Sequence, residues 1–344
     1  VRRTRFLAAA TALVAFPRVA RATGGLDVEA NESAARMRVL LASGAFVAPE
    51  PLDAWHFAWD GRTYRGTSGA TMLPDGRPAL INTLPLDAYL YGVLGREIAA
   101  SWAPAAQQAQ AIASRTYALG KLRPGKPYDV VATEGDQRYD GIEAETVEGR
   151  AAIDATAARI VTFAGAPAHV AYSSCCGGRT ADAGDVWKTP YPYLVSVADP
   201  NCLATPDFTW SAQIGRDDLE RALGARLAAI GTLRDVCVRT PGPGARPTAV
   251  TFAGSAGAFD VSPADLRAAL GPRVVRSTFV RSAALGGVRS AAPATGAATI
   301  ELAGTGRGHG VGMCQWGART MGERGSTAAE IVAFYFPGTA LGRA

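Results

Sequence analysis

The residues with the clearest chemical content are one glutamate placed on an apolar helix face and two glycine-dense turns that carry histidine, glutamine, tryptophan and cysteine. From Pro85 onward, Leu86, Tyr89, Leu90, Val93 and Leu94 follow helical spacing. At about 100° per residue, Glu97 falls roughly 20° round from Leu86, between Leu86 and Leu90, so its carboxyl points into the apolar face. Desolvation there favours the protonated acid and raises its pKa toward the range useful to a general acid at neutral pH. If Gly95 ends the helix early, the phase argument lapses and Glu97 becomes a cap or an ion-pair partner of Arg115.

The segment from Gly304 to Gly317 interleaves glycines with His309, Gln315 and Trp316. Such glycine density lets backbone approach a ligand closely. No Lys-Ser/Thr follows, as a phosphate loop requires, and no strand-to-helix unit with a later acid surrounds it, as dinucleotide binding requires. What remains is a tight loop presenting one His, one Gln and one Trp, a set suited to a sugar face, although a Trp is more often core. Ser173-Ser174-Cys175-Cys176-Gly177-Gly178-Arg179-Thr180 forms a second tight loop. Vicinal cysteines rarely bond to each other without strain, so each is expected to look elsewhere, with Cys202 the nearest candidate. A disulfide anchoring this loop is preferred to a Cys nucleophile, because no fixed base stands beside it.

The elements that must hold these groups read as α+β, with mixed sheets and packed helices in one large unit of one or two lobes. Met37–Leu41 and pieces of Arg62–Asn82 read as strands, and Ser101 reads as the N-cap of a helix with Pro104 in its first turn. The small side chains Ala105, Ala109, Ile112, Ala113 and Thr116 give that helix a narrow face for close packing. Residues 146–164 read as helix then the strand Arg159–Phe163. Asp217–Leu227 and Pro263–Leu270 read as helices, the second capped by Ser262. Pro241–Pro247 and the Ala/Gly-rich run 283–298 read as surface loops. Thr327-x-x-Glu330 is a capping box before an apolar run that Pro337 stops.

Residues 1–22 combine basic positions, an apolar stretch from Phe6 to Phe16 and Ala20-Arg21-Ala22, the order of parts of an export signal, with general rather than twin-arginine export expected. The apolar run falls short of the roughly 20 residues that span a bilayer, so no stable transmembrane segment is expected in the mature chain. Residues 1–22 hold five Arg and no acid, so their removal takes the formal charge from +5 to zero. The basic pI therefore describes the part removed, and nucleic acid and anionic membrane are set aside as partners. Five cysteines (175, 176, 202, 237, 314) then lie in a compartment that permits disulfides, and the odd number leaves one over within the chain. Cys-x-x-Cys is absent and the three histidines are far apart in sequence, which argues against a zinc finger.

Three blocks carry a resemblance. They are Leu84 to Ile98 with Ser101-Trp102 and Gln110 to Leu119; Tyr172 to Thr180 with Asp185-Val186-Trp187, Pro192-Tyr193-Leu194 and Asp199 to Cys202; and Gly308 to Ala318 with Tyr335 to Thr339. On these the chain resembles the stage II sporulation protein D / LytB amidase-enhancer family over residues 36–342, with 23–35 as a linker. The resemblance implies an exported cell-envelope protein acting on peptidoglycan glycan strands. In one reading it is a lytic transglycosylase that cleaves between N-acetylmuramic acid and N-acetylglucosamine and leaves a 1,6-anhydro end. In the other it is a non-catalytic glycan-binding enhancer of a cell-wall amidase.

Glu97 matches the family's catalytic glutamate, and Arg115, Tyr172, Ser173, His309, Gln315 and Trp316 are the candidates for holding the sugar or orienting that acid. The family's sporulation members carry a zinc-binding Cys and His around the second block. Here Arg179 follows the two glycines and the nearest His is His169, upstream. No cofactor is therefore expected; Cys176 remains available as one zinc ligand, with a disulfide to Cys202 competing for the same sulfur. The third block has Cys314 where family members commonly have Ser.

Overall fold

Alternation in Arg36–Ser43 (β1) buries Met37 and Val39 on one face. This strand lies between Pro78–Pro85, antiparallel to it, and Val130–Val131, parallel to it, with Thr67–Met72 closing the far edge of a four-stranded sheet. In the computed structural model, residues 35–206, 208–286 and 299–344 are described. The expected export signal and nearly all of the linker lie outside them, as does most of the run 283–298. Among the described residues no helix is long and apolar enough to cross a membrane.

The strand Pro78–Pro85 runs straight into the helix Leu86–Glu97 (α1), whose Leu86, Tyr89, Leu90, Val93 and Leu94 are buried as the spacing predicts. Pro104–Gly120 (α2) follows. Ser101 does not cap it: the helix opens at Pro104 with Ala103 at the N-cap position and no side-chain cap. Pro104 has no N–H to satisfy at that position, and Gln107 Nε2 instead holds the approach by donating to the carbonyls of Ala100 (2.8 Å) and Trp102 (3.0 Å). The small face is wider than the spacing implied. Ala106, Gln107 and every residue from Ala109 to Thr116 are buried, because α2 lies between two cores.

One core gathers Met37, Val39, Leu84, Leu90, Tyr139 and Ile153, with Ala111 and Ala118 of α2. The other gathers Val170, Val311, Met313, Ile331 and Phe336, with Ala109, Ile112 and Ala113 of α2. A third core, built on Trp210, Leu219, Phe252, Leu266 and Leu302, belongs to the stretch between the two glycine-dense turns. Two antiparallel three-stranded sheets carry it, one of Thr209–Ile214, Thr299–Thr305 and Val280–Gly286, the other of Leu233–Arg239, Ala249–Gly254 and Gly257–Val261. The helices Arg216–Ala229 and Pro263–Leu270 pack with them, the second capped by Ser262, whose hydroxyl accepts from the Asp265 N–H. The class is α+β, with open mixed and antiparallel sheets. Near the C-terminus, the capping box of Thr327 and Glu330 starts the helix Ala328–Tyr335.

Candidate active site

Glu97 is the last residue of α1, and the helix does not stop at Gly95. Gly95 serves packing instead: a Cβ there would strike the carbonyl of Ala144. Ile98 turns extended and gives its N–H to Leu94, which leaves the Glu97 side chain aimed across the chain toward the glycine-dense turns.

A short parallel ladder brings those turns to it. Tyr172 pairs with Met313 and Ser173 with Cys314. Gln315 follows at once as the first residue of the helix Gln315–Glu323, whose N-cap sulfur on Cys314 accepts from the Gly317 N–H. From there the Gln315 amide donates to Glu97 Oε2 at 3.0 Å.

Tyr172 supplies a second donor by elimination. Its hydroxyl oxygen accepts from Gln137 Nε2 at 2.7 Å and from Ser114 Oγ at 3.3 Å, so its single proton is left to give to Glu97. Ser114 in turn accepts from Gln110 Nε2 at 3.0 Å, and Gln137 accepts from the Tyr89 hydroxyl at 3.3 Å. This network orients the phenol.

Burial pushes the Glu97 carboxyl up to about 7, against the donors Gln315 and Tyr172, which favour the charged form, and with a smaller contribution from Glu134. The partial negative end of α1 acts in the same sense as burial. A carboxyl poised at neutral pH can deliver a proton and take one back.

Glu97 lines an open cleft of about 670 Å³ together with Tyr172, Ser173, Ser174, His309 and Gln315. The Ser173 hydroxyl accepts from the Gly310 N–H at 3.2 Å, which ties the two turns together. His309 is fixed rather than reactive. Its Nδ1 accepts from Val311 N–H at 3.1 Å, its ring also bonds the backbone of Tyr172, and Trp187 packs on it at 5.0 Å between centroids. Burial pulls its pKa to about 4, so the imidazole is neutral at pH 7 and serves as a wall of the cleft.

Two expected site residues are placed elsewhere. Arg115 is fully buried: its guanidinium donates to Asp87 Oδ1 at 2.8 Å and to the carbonyls of Thr156, Ile153 and Arg159. It ties α1, α2 and the segment 153–159 together and does not reach Glu97. Trp316 packs against Trp102, 5.3 Å between centroids, with the Arg319 guanidinium over its ring, and is not among the residues lining the cleft. Its ring is partly buried against the core formed with Val311 and Ile331.

The cleft also has walls that the motifs did not announce. Glu134, Asp136 and Arg138 come from the loop before Tyr139, Arg96 from α1, and Arg267 and Arg273 from the third core's lobe, with Arg307 in the Gly304–Gly317 turn. Asp136 is held as a carboxylate, below its usual range, by the Val131 N–H and Lys121 despite burial. Five arginines line the cleft against three acids, and two of them, Arg96 and Arg138, are paired with Asp140. Spacing could not flag them, since they are isolated arginines far apart in sequence.

The implied zinc pair of Cys and His does not fit. His169 stacks on Tyr191 at 4.7 Å and His309 is fixed as described, whereas Cys176 groups with Asp199, Cys202 and Cys314. The Cys176 and Cys202 sulfurs, the pair expected to bridge, adjoin at 3.5 Å.

These features define an α+β protein in which two loops distant in sequence close on a half-buried glutamate, its carboxyl raised toward neutral pH, in an arginine-lined cleft. The model of the family SpoIID: Stage II sporulation protein matches residues 75–163, the segment that contains Glu97. An uncharacterized protein of Brachyspira hyodysenteriae is 30% identical over 263 residues, covering 75% of this chain and 67% of that one. The stage II sporulation protein D of Bacillus amyloliquefaciens is 28% identical over 281 residues, 77% of this chain and 76% of that protein. The amidase enhancer of Bacillus subtilis is 27% identical over 297 residues, 73% of this chain but 40% of that protein. The chain belongs to the stage II sporulation protein D / LytB family.

Proposed function

We propose that this protein is an exported peptidoglycan lytic transglycosylase, with Glu97 as its catalytic acid and base. The names of its relatives, stage II sporulation protein D and amidase enhancer, support a cell-wall role. The observation that carries the enzymatic reading is the Glu97 carboxyl, held near pKa 7 between Gln315 and Tyr172 at the edge of an open cleft.

In this reading protonated Glu97 gives its proton to the glycosidic oxygen between N-acetylmuramic acid and N-acetylglucosamine as that bond breaks. The resulting carboxylate takes the proton of the muramic acid 6-hydroxyl, whose oxygen closes on the anomeric carbon to leave a 1,6-anhydro end. Because the nucleophile belongs to the substrate, a second enzymic carboxylate is not needed, unlike the two-carboxylate hydrolases. Gln315 and Tyr172 stabilise the carboxylate formed midway, and the arginine-rich walls suit a glycan that bears carboxylates.

A second reading, a glycan-binding partner that stimulates a cell-wall amidase, is favoured by the relative of that name. Incubation of purified protein with sacculi separates the two. Wild type is expected to release anhydro-muropeptides, and Glu97→Gln to lower that release by at least about 100-fold while still pelleting with sacculi. Binding by wild type without any release would favour the enhancer, and products heavier by one water would mean a hydrolase.

A further inference from the structure

Behind the ladder that carries Tyr172 lies a cluster that the chemistry above does not use. The sulfurs of Cys176, Cys202 and Cys314 and a carboxylate oxygen of Asp199 all lie within 4.8 Å of one another, and all four residues are buried. Donors around a tetrahedral zinc ion, at about 2.0–2.3 Å from it, stand roughly 3.3–3.8 Å apart. Here Cys176 Sγ is 3.5 Å from Cys202 Sγ and 3.2 Å from Asp199 Oδ2. The set is already close to that spacing.

Backbone N–H groups face two of the three sulfurs. Cys314 Sγ accepts from the backbone N–H of Cys176 (3.2 Å) and of Gly317 (3.4 Å), the latter in the first turn of the helix Gln315–Glu323. Cys202 Sγ accepts from Gly178 N–H at 3.3 Å. Backbone donors aimed at sulfur, and a helix N-terminus behind one of them, favour negative charge there.

The carboxylate is also fixed from outside, as metal ligands characteristically are. Tyr335 donates its hydroxyl to Asp199 Oδ2 at 2.9 Å, and Asn201 N–H bonds Oδ1 at 2.9 Å. A Cβ at position 317 would strike both the Tyr335 hydroxyl and Asp199, so only glycine leaves room for this pair. Three thiolates and a carboxylate exceed a dication by two negative charges. The Arg246 guanidinium stands close by, donating to the carbonyls of Cys176 (2.9 Å) and Arg179 (2.7 Å).

We propose that Cys176, Asp199, Cys202 and Cys314 bind one divalent cation of the zinc class in a closed, four-ligand structural site. The donor set differs from the Cys/His pair that the family resemblance implies, and it leaves no open position for catalysis. Binding displaces the thiol protons, among them the one that Cys176 turns toward Asp199. The ion clamps together residues 176, 199–202 and 314, and so holds the ladder that presents Tyr172 and Gln315 to the cleft.

Metal content and thiol state of the whole protein, purified without chelator, test this directly. About one zinc per chain is expected by mass spectrometry of the metal, lost in Cys202→Ser and kept in Cys237→Ser, whose sulfur is exposed and apart from the cluster. Should Cys202→Ser fail to fold, cobalt substitution of the wild-type chain serves instead: a thiolate-to-cobalt charge-transfer band is expected, together with slow alkylation of these cysteines until a chelator is added. A Cys176–Cys202 disulfide found by non-reducing peptide mapping would overturn the proposal. So would reduced protein that takes up neither zinc nor cobalt.

Discussion

Arg115 and Glu97 both bring an ionisable group into the interior of the same helical block, yet the two surroundings treat them in opposite ways. Around Arg115 the donors are used up on Asp87 and three backbone carbonyls, and its guanidinium has no function left beyond holding the frame. Around Glu97 two donors reach the carboxyl, which otherwise opens on the cleft, and its proton sits near the neutral point. A saturated buried charge is structure, and an unsaturated one beside a cavity is chemistry.

The largest effect expected from this contrast is on stability. Arg115→Met should cost about 3–5 kcal/mol, since it leaves the carbonyls of Ile153, Thr156 and Arg159 buried without their donor. Urea unfolding measures this. A variant with the wild-type midpoint and only a loss of activity would break the contrast, because Arg115 would then belong with the cleft.

A smaller effect of the opposite sign is expected at Glu97. Its folded-state pKa, about 7, lies above the ordinary 4.5, so the native state favours the protonated form. That contribution is fully present below about pH 4.5 and is lost as pH rises through 7, by at most about 3 kcal/mol. Glu97→Gln carries no such term. It should match wild type near pH 4 and be the more stable of the two at pH 8, as unfolding midpoints at the two pH values would show. Equal midpoints at both would mean that Glu97 is not held against its charge.

The finest test concerns the pH profile. Tyr172→Phe removes a donor to the Glu97 carboxylate, so its pKa should rise and the falling alkaline limb of kcat/KM should move to higher pH. A limb that stays in place, with activity merely scaled down, would make Tyr172 a wall of the cleft rather than a partner of the acid.

Much of this was legible from residue order. The helical phase of Glu97 holds because α1 continues through Gly95, and the strand Arg159–Phe163, the helix Pro263–Leu270 and the capping box at Thr327 are local patterns that the fold kept. Other features were not legible, each for a physical reason. Ser101 has the right chemistry for an N-cap but stands too early, since Pro104 sets where α2 begins. Arg115 and Trp316 sit in motifs that serve the site, and a motif does not say which of its members bond to the frame and which face the cleft. Ser114 and Gln137, which aim Tyr172, are ordinary polar residues until the chain brings them within 3.3 Å and 2.7 Å of its hydroxyl.

Sequence alone determined the class of fold, the family and the helical phase that turns Glu97 inward, because helix phase, capping and motif order are written in neighbouring residues. Tertiary structure alone decided which charges are satisfied, how the arginines line the cleft, and that three cysteines and an aspartate from three separate segments share one buried volume. Hydrogen-bond saturation and ligand spacing depend on distances through space, and residues 138 apart, such as Cys176 and Cys314, become neighbours only when the ladder closes.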